Sequence, residues 1–274
     1  MTQKELEAIV KAAFAEDLPD ITSGAIFAPA DRGSARFLVK AEGIIAGLAV
    51  VETVFQALDV EASVTLKMRD GEMVQPGDVV AEVSASVIAL LSGERTALNL
   101  MQRASGIATL TRRYVDAVAG TRAKIHDTRK TAPGLRMLDK YAVRCGGGEN
   151  HRIGLHDMFL VKNNHIDRAG SIAAAVQRIR ATGRTQPLMI EVRDMRELDE
   201  ALSAGPDFIL LDNMNPEQLR EAVQRTGGRV PLEASGGITL ETVRAVAETG
   251  VDRISVGALT HSVTALDISM RVKT

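Results

Sequence analysis

After Gly120 the chain repeats one unit, a short apolar run followed by a helix-forming stretch. The runs are Ala123–Asp127, Met158–Lys162, Leu188–Val192, Phe208–Asp212, Val230–Ala234 and Arg253–Val256. Alternation of this kind indicates parallel β/α units, which restricts the second half of the chain to an α/β sheet or barrel. Helix starts between the runs are signalled by Ser171, by Asn215 with Pro216 as first helical residue, and by Thr239. Polar residues fall at the carboxyl ends of the runs: Arg129 and Lys130 after the first, Lys162 and Asn164 after the second, then Glu191, Asp212, Ser235-Gly236-Gly237 and Gly257. In a parallel barrel those ends share one face, where active sites are built, and the loops of the last strands frequently hold a phosphate. Six units are visible, whereas a full barrel needs eight.

The first half reads differently. Thr2 followed by Glu5 forms a capping box, and Leu6, Ile9, Val10, Ala13 and Phe14 recur at helical spacing, so an amphipathic helix is expected up to Pro19. From Ser34 to about Ser86 the pattern predicts a strand-rich module. Val60, Ala62, Val64 and Leu66 alternate there, and a Pro76-Gly77 turn precedes Val79, Val80 and Val83. Ser92 is expected to open a long helix to about Val118, with Gly106 as a break.

Composition excludes some functions. With 274 residues, 45% of them hydrophobic, the chain has ample material for a buried core. There is no Trp, aromatic residues make up 3%, and the net charge is −2, so neither stacking platforms nor a basic face for nucleic acid are expected. Cys145 is the only cysteine, which rules out an internal disulfide and reads as a bystander thiol. Glu5, Glu7, Glu16 and Asp17 argue against a targeting peptide, and no apolar run reaches the roughly 20 residues of a bilayer span, so a cytoplasmic protein without membrane contact is expected.

Against that nearly neutral background, the segment from Asp127 to Ile166 concentrates Arg129, Lys130, Arg144, His151, Arg152, Lys162 and His165 beside Gly146, Gly147 and Gly148. A multiply anionic substrate requires such density. The glycines match neither a dinucleotide fingerprint nor a P-loop. The wording DTRKT-PG, GGG-NHR-GL and K-NHI resembles the quinolinate phosphoribosyltransferase family, and the resemblance runs through most of the chain.

That resemblance implies a strand-rich α+β N-terminal domain over residues 1–106, on which residues 265–274 can pack, followed by an incomplete α/β barrel over 107–264. It implies transfer of phosphoribose from phosphoribosyl pyrophosphate to quinolinate with loss of carbon dioxide. Arg95 in GERTALNL, Thr128, Arg129, His151, Arg152 and Lys162 would form the dicarboxylate pocket, because guanidinium forks bind carboxylates bidentately. Lys130 would meet the pyrophosphate. Glu191 and Asp212 would hold a substrate-bridged Mg²⁺, and Lys130, Lys162, Glu191 and Asp212 are the catalytic candidates. Ser235, Gly236, Gly237, Val256, Gly257 and Ala258 resemble the 5′-phosphate cradle, assisted by the dipole of a helix near Thr239 and with His261 close to it or packed. No organic cofactor is called for. A homodimer is expected in which Arg95 serves the partner's site.

Asn163 stands where the family more often has aspartate, Met189 replaces a frequent glutamate, and EDLPDITS is shorter than the usual N-terminal motif. A paralogue of the molybdenum-transport accessory type would keep the barrel but lack parts of the dicarboxylate clamp. A Schiff-base lyase would also place a lysine such as Lys162 or Lys130 at a strand end, but has no need of clustered arginines.

Overall fold

The computed structural model describes residues 1–273; Thr274, the last residue of the expected C-terminal segment, lies outside the described residues. By internal contacts the chain forms two compact units, neither of which is one continuous stretch. The first comprises Met1–Arg112, Thr131–Gly147 and the chain from Leu259 on; the second comprises Arg113–Lys130 and Gly148–Ala258.

In the first unit α1 (Gln3–Asp17) starts at Thr2, whose hydroxyl accepts from the Glu5 N–H while the Glu5 carboxylate reaches back to Thr2, and it buries Leu6, Ile9 and Val10. α2 (Ile21–Ile26) is capped by Asp20. β1 (Arg32–Val39) buries alternate residues Ala35, Phe37 and Val39. β2 (Gly43–Ile44) follows, and then α3 (Leu48–Leu58), a helix inside the stretch expected to be strands. Its β-branched residues mimic a strand locally. Tertiary packing decides the matter: Leu48, Val50, Val51, Val54 and Phe55 are all buried, and the Phe55 ring meets Phe37 edge to face at 6.1 Å. Gly47 makes the entry possible with φ +88, in the left-handed region that glycine favours.

β3 is limited to Ser63–Leu66, and Val60 is 94% exposed, so the alternation beginning at Val60 does not line a buried face. β4 (Met73–Val74) pairs with β2, and the Pro76-Gly77 turn closes with Asp78 N–H donating to Gln75 C=O at 3.1 Å before β5 (Val79–Ser86). The main antiparallel sheet has the order C-terminal strand Ile268–Lys273, β1, β5, β3. α4 (Val87–Ala117) starts five residues before Ser92, whose hydroxyl instead donates to Asp20, and it runs unbroken through Gly106. A Cβ at Gly106 would lie 2.1 Å from the Thr264 carbonyl, so this glycine serves close approach and not a break. α5 (Arg136–Cys145) belongs to the same unit, where Arg103 holds the buried Asp139 with two hydrogen bonds of 2.8 Å. Burial, reinforced by the Asp70 charge, pushes the Cys145 thiol up to about 11, which leaves it protonated and inert at neutrality.

The second unit is a six-stranded parallel sheet: β6 (Lys124–His126), β7 (Phe159–Val161), β8 (Leu188–Val192), β9 (Phe208–Asp212), β10 (Leu232–Ser235) and β11 (Arg253–Ser255), in the order β6-β11-β10-β9-β8-β7. All six expected strands form, and among the described residues β6 and β7 remain the two ends of the sheet. Its helices are α6 (Asn163–Ala169), α7 (Ile172–Ala181), α8 (Met195–Ala204), α9 (Pro216–Thr226) and α10 (Val243–Ala247); α11 (Ala258–His261) passes from Leu259 on into the first unit. Ser171 and Asn215 cap α7 and α9 as expected. Thr239 does not open a helix. The chain turns from Thr239 to Thr242, and α10 begins only at Val243 and is five residues long, so little helix dipole is available there.

Register determines which side chains share a face. Glu191 pairs with Leu210, Leu210 with Glu233, and Glu233 with Arg253; two residues on, Asp212 pairs with Ser235, Ser235 with Ser255, and Ser255 with His126. Side chains alternate with period two, so Glu191, Asp212, Glu233, Ser235, Ser255 and His126 all project from one face, the inner one. Met189 lies on that face below Glu191, fully buried, with Leu160 and Phe208 as its register neighbours. An apolar layer therefore supports the polar one.

Candidate active site

The fully buried Asp127, just beyond β6, organises the first part of the site. Its Oδ1 accepts the His151 N–H at 2.8 Å and its Oδ2 accepts the Asn150 side-chain amide at 2.6 Å. Main-chain bonds from Glu149 to Ile125 and from Asp127 to Glu149 add to the tie, so the chain from Glu149 to His151 is laid against β6. In sequence Asp127 looked like the end of a strand. Its role becomes visible only when residues more than twenty positions apart meet.

This tie brings two guanidinium groups together. Arg152 is half-buried, donates through Nη1 to the Met158 carbonyl at 3.2 Å, and has a buried Nε without a hydrogen-bond partner among the described residues. Arg129, also half-buried, has the same unpartnered Nε. Burial depresses the proton affinity of Arg152, and the charge of Arg129 depresses it further, against the opposing pull of Asp157. Two cations that sense one another's charge, each with an unsatisfied donor, make a candidate site for anions. Thr128 contributes a local brace, accepting the Lys130 N–H at 3.0 Å, and Lys130 itself is exposed.

His151 departs from expectation. Its side chain is only 8% exposed and turns inward: Nδ1 accepts the Arg152 N–H at 2.7 Å, and Nε2 lies 3.4 Å from Oε1 of Glu233. These contacts brace the ring against Glu233 and the Arg152 backbone.

At the other end of the sheet Lys162 follows β7 as N-cap of α6, with its N–H donated to Nδ1 of His165 at 2.9 Å. Its ammonium, half-exposed, reaches Glu191 Oε2 at 3.0 Å. Glu191 is buried in β8, and Asp212 is half-buried at the end of β9. Asn163, the first residue of α6, has a buried Oδ1 without a partner among the described residues. A carboxylate in its place would bury an additional charge.

Ser235, Gly236 and Gly237 follow β10, while Val256, Gly257 and Ala258 lead from β11 into α11. A Cβ at Gly236 would sit 2.1 Å from Asn213 Oδ1, and its φ is +102. Asn213 itself adopts φ +54 and donates its N–H to the Ser235 carbonyl at 2.8 Å. The loops after β9 and β10 are thus locked by a residue that sequence inspection passed over. Gly237, with φ +60, faces open space. His261 is exposed and bonds Ser262 at 2.7 Å, which answers the packing alternative in the negative. Arg95, exposed on α4, and His261 belong to the first unit, and the other predicted site residues belong to the second.

Residues 20–105 match the model for the quinolinate phosphoribosyl transferase N-terminal domain, and residues 107–271 match that for the C-terminal domain. The chain is 46% identical to a probable nicotinate-nucleotide pyrophosphorylase (carboxylating) of Bacillus subtilis, over 99% of this chain and 95% of that one. It is 45% identical to the nicotinate-nucleotide pyrophosphorylase (carboxylating) of Mycobacterium leprae, over 95% of each. The crystal structure of NadC from Streptococcus pyogenes superposes with a TM-score of 0.95 at 39% identity, covering 100% of this chain and 98% of that one. Full-length sequence identity, both domain models and the superposed fold agree that this chain belongs to the quinolinate phosphoribosyltransferase family.

Proposed function

We propose that this chain catalyses the transfer of phosphoribose from phosphoribosyl pyrophosphate to quinolinate with decarboxylation, giving nicotinate mononucleotide, pyrophosphate and carbon dioxide, a step of NAD biosynthesis. The observation that carries the reading is the Arg129–Arg152 pair, each with a buried, unsatisfied Nε and each within range of the other's charge. Adjacent ring carboxylates present the complementary pattern, and each guanidinium can take one of them through paired N–H groups.

The pyridine nitrogen bonds to the anomeric carbon as the bond to pyrophosphate breaks, with pyrophosphate taking the electron pair. Clamping the ring in line with that carbon, and placing Lys130 toward the leaving group, is work for positioned charges and needs no covalent enzyme intermediate. The glycosylated nitrogen is cationic. When the bond to the neighbouring carboxylate breaks, the pair stays on the ring carbon beside that charge, carbon dioxide leaves, and a solvent proton completes the product. Held by Glu191, Lys162 can present its half-exposed ammonium to the substrate anions.

Mg²⁺ is the cofactor we assign. Glu191 and Asp212 project from the same face of neighbouring strands and offer hard oxygen donors. No group of three or more metal-ligating side chains occurs among the described residues, and two carboxylates fit an ion that also takes phosphate oxygens and water. When bound, the ion offsets charge on the pyrophosphate.

We also infer a homodimer in which exposed Arg95 completes the partner's dicarboxylate pocket. Arg95→Ala and Lys130→Ala dimers should each be nearly inactive, whereas co-refolding equal amounts should restore roughly a quarter of wild-type activity, since about half of randomly paired dimers are mixed. Confirmed heterodimers without recovery would refute action in trans. We place the protein in the cytoplasm; among the described residues no helix is long and apolar enough to cross a membrane, and recovery in a membrane fraction would contradict that placement.

The deciding experiment is a product assay with phosphoribosyl pyrophosphate and Mg²⁺, comparing quinolinate with nicotinate. Nicotinate mononucleotide and carbon dioxide should appear from quinolinate. Equal or better use of nicotinate would overturn the assignment.

A further inference from the structure

The mechanism above gives no task to a buried carboxyl on the inner face of the parallel sheet. Glu233, in the middle of β10, is 0% exposed and projects from the inner face of the sheet. Its Oε1 accepts the Ser255 hydroxyl and lies 3.4 Å from His151 Nε2, while its Oε2 is buried without a hydrogen-bond partner among the described residues. The core does not need a carboxyl here for packing. An apolar side chain of similar volume would fill the same space without the cost of burying a polar group.

The contacts explain what the oxygens do. An imidazole nitrogen that accepts an N–H carries no proton, so the bond from Arg152 N–H to Nδ1 leaves the ring proton on Nε2, which faces Glu233. Burial pushes the Glu233 carboxyl up to about 7, and the Asp127 charge adds to this against Ser255 and Arg253. A neutral acid can therefore face a neutral imidazole without a buried charge. Asp127 meanwhile holds the N–H of His151 itself. The backbone that carries the Arg152 guanidinium is gripped from β6 directly and from β10 through the His151 ring.

We propose that Glu233 is a positioning residue for quinolinate recognition, setting the tautomer and orientation of His151 and thereby the aim of Arg152. This rests on the reading of Arg129 and Arg152 as the dicarboxylate clamp. Bidentate carboxylate binding depends on direction, so loss of the grip should weaken capture of the dicarboxylate and leave phosphoribosyl pyrophosphate largely unaffected.

The test is Glu233→Met, which keeps volume and removes both oxygens. KM for quinolinate should rise about tenfold, with kcat and KM for phosphoribosyl pyrophosphate within about threefold of wild type. Glu233→Gln, which keeps an acceptor oxygen, should stay within about threefold in all three constants. An unchanged quinolinate KM in Glu233→Met, or equal rises for both substrates, would overturn the proposal. Should Glu233→Met fail to fold, Ser255→Ala decides: a quinolinate-specific rise of about threefold supports the proposal, and no change overturns it. Ring-nitrogen chemical shifts of His151, measured without substrate, separate this inference from the assigned activity. They should show one tautomer with the proton on Nε2 in the wild type and a mixture in Glu233→Met or, should that not fold, in Ser255→Ala. A single unchanged tautomer would sink the relay even in an active enzyme, while the expected change in a protein that does not turn over quinolinate would leave the relay standing and refute the function.

Discussion

On the proposed function, the two parts of the candidate site would recognise anions in different ways. In the loops after β6 and before β7 recognition would fall to side chains: Arg129 and Arg152 repel one another, and Asp127, His151 and Glu233 are buried acceptors that hold the backbone in place. In the loops after β9, β10 and β11 it would fall to backbone conformation, with Gly236 and Gly237 at positive φ and Asn213 locking one loop to the next. A flat dicarboxylate has to be held in one plane, which favours planar forks on a rigid support. A phosphate presents oxygens in all directions and is served by converging N–H groups.

The contrast is sharpest for Arg152→Ala. It should cost roughly 2 to 5 kcal/mol in kcat/KM for quinolinate, with Lys a poor substitute for the planar fork. Wild-type-like steady-state kinetics would remove Arg152 from the pocket and erase the distinction.

A second break concerns the support. The Glu233 carboxyl, raised from 4.5 to about 7 by burial, keeps its proton in the folded chain while the unfolded chain loses it as pH rises through 4.5. Folding stability should therefore be unaffected by this group below about pH 4.5, fall between about 4.5 and 7, and reach a deficit on the order of 3 kcal/mol above that window. Glu233→Gln lacks the titration. Denaturant melts at acid and alkaline pH should show its stability relative to wild type rising by that amount, and a pH-independent difference would show that the fold does not raise the Glu233 carboxyl above its unfolded value.

The backbone half is probed by Gly236→Ala, whose Cβ meets Asn213 Oδ1 in a conformation alanine disfavours. It should cost about 1 to 3 kcal/mol in binding of phosphoribosyl pyrophosphate. Gly237→Ala meets no neighbour and should cost less. If both variants instead raised KM for quinolinate, the division of labour would be wrong.

The smallest effect is expected where the halves meet. Glu191→Gln and Asp212→Asn should each raise the Mg²⁺ concentration for half-maximal activity several-fold while the fold is retained. Unchanged Mg²⁺ dependence in both would leave Glu191 as the counter-ion of Lys162 alone.

Much of this was legible in the chain. Six apolar runs became six parallel strands, and the polar residues that follow them sit at the carboxyl ends, because strand length and strand-to-helix alternation are local properties. Caps at Thr2, Ser171 and Asn215 are equally local. The misreadings arose wherever a neighbour distant in sequence supplies the deciding energy. Val50, Val51 and Val54 favour a strand by propensity but fold as a helix because that face is buried with Phe55. Gly106 reads as a break until the Thr264 carbonyl is placed against it.

The chain alone thus determined the parallel architecture and the placing of polar residues at the carboxyl ends of its strands. Which of those groups are buried against one another and which stay open to solvent was decided only by tertiary structure. His151 looks like a pocket residue in NHR, and Glu233 looks like an ordinary charge in PLEAS. Burial depends on all six strands at once, and only the assembled sheet turns His151 inward, removes water from Glu233 and sets the two 3.4 Å apart.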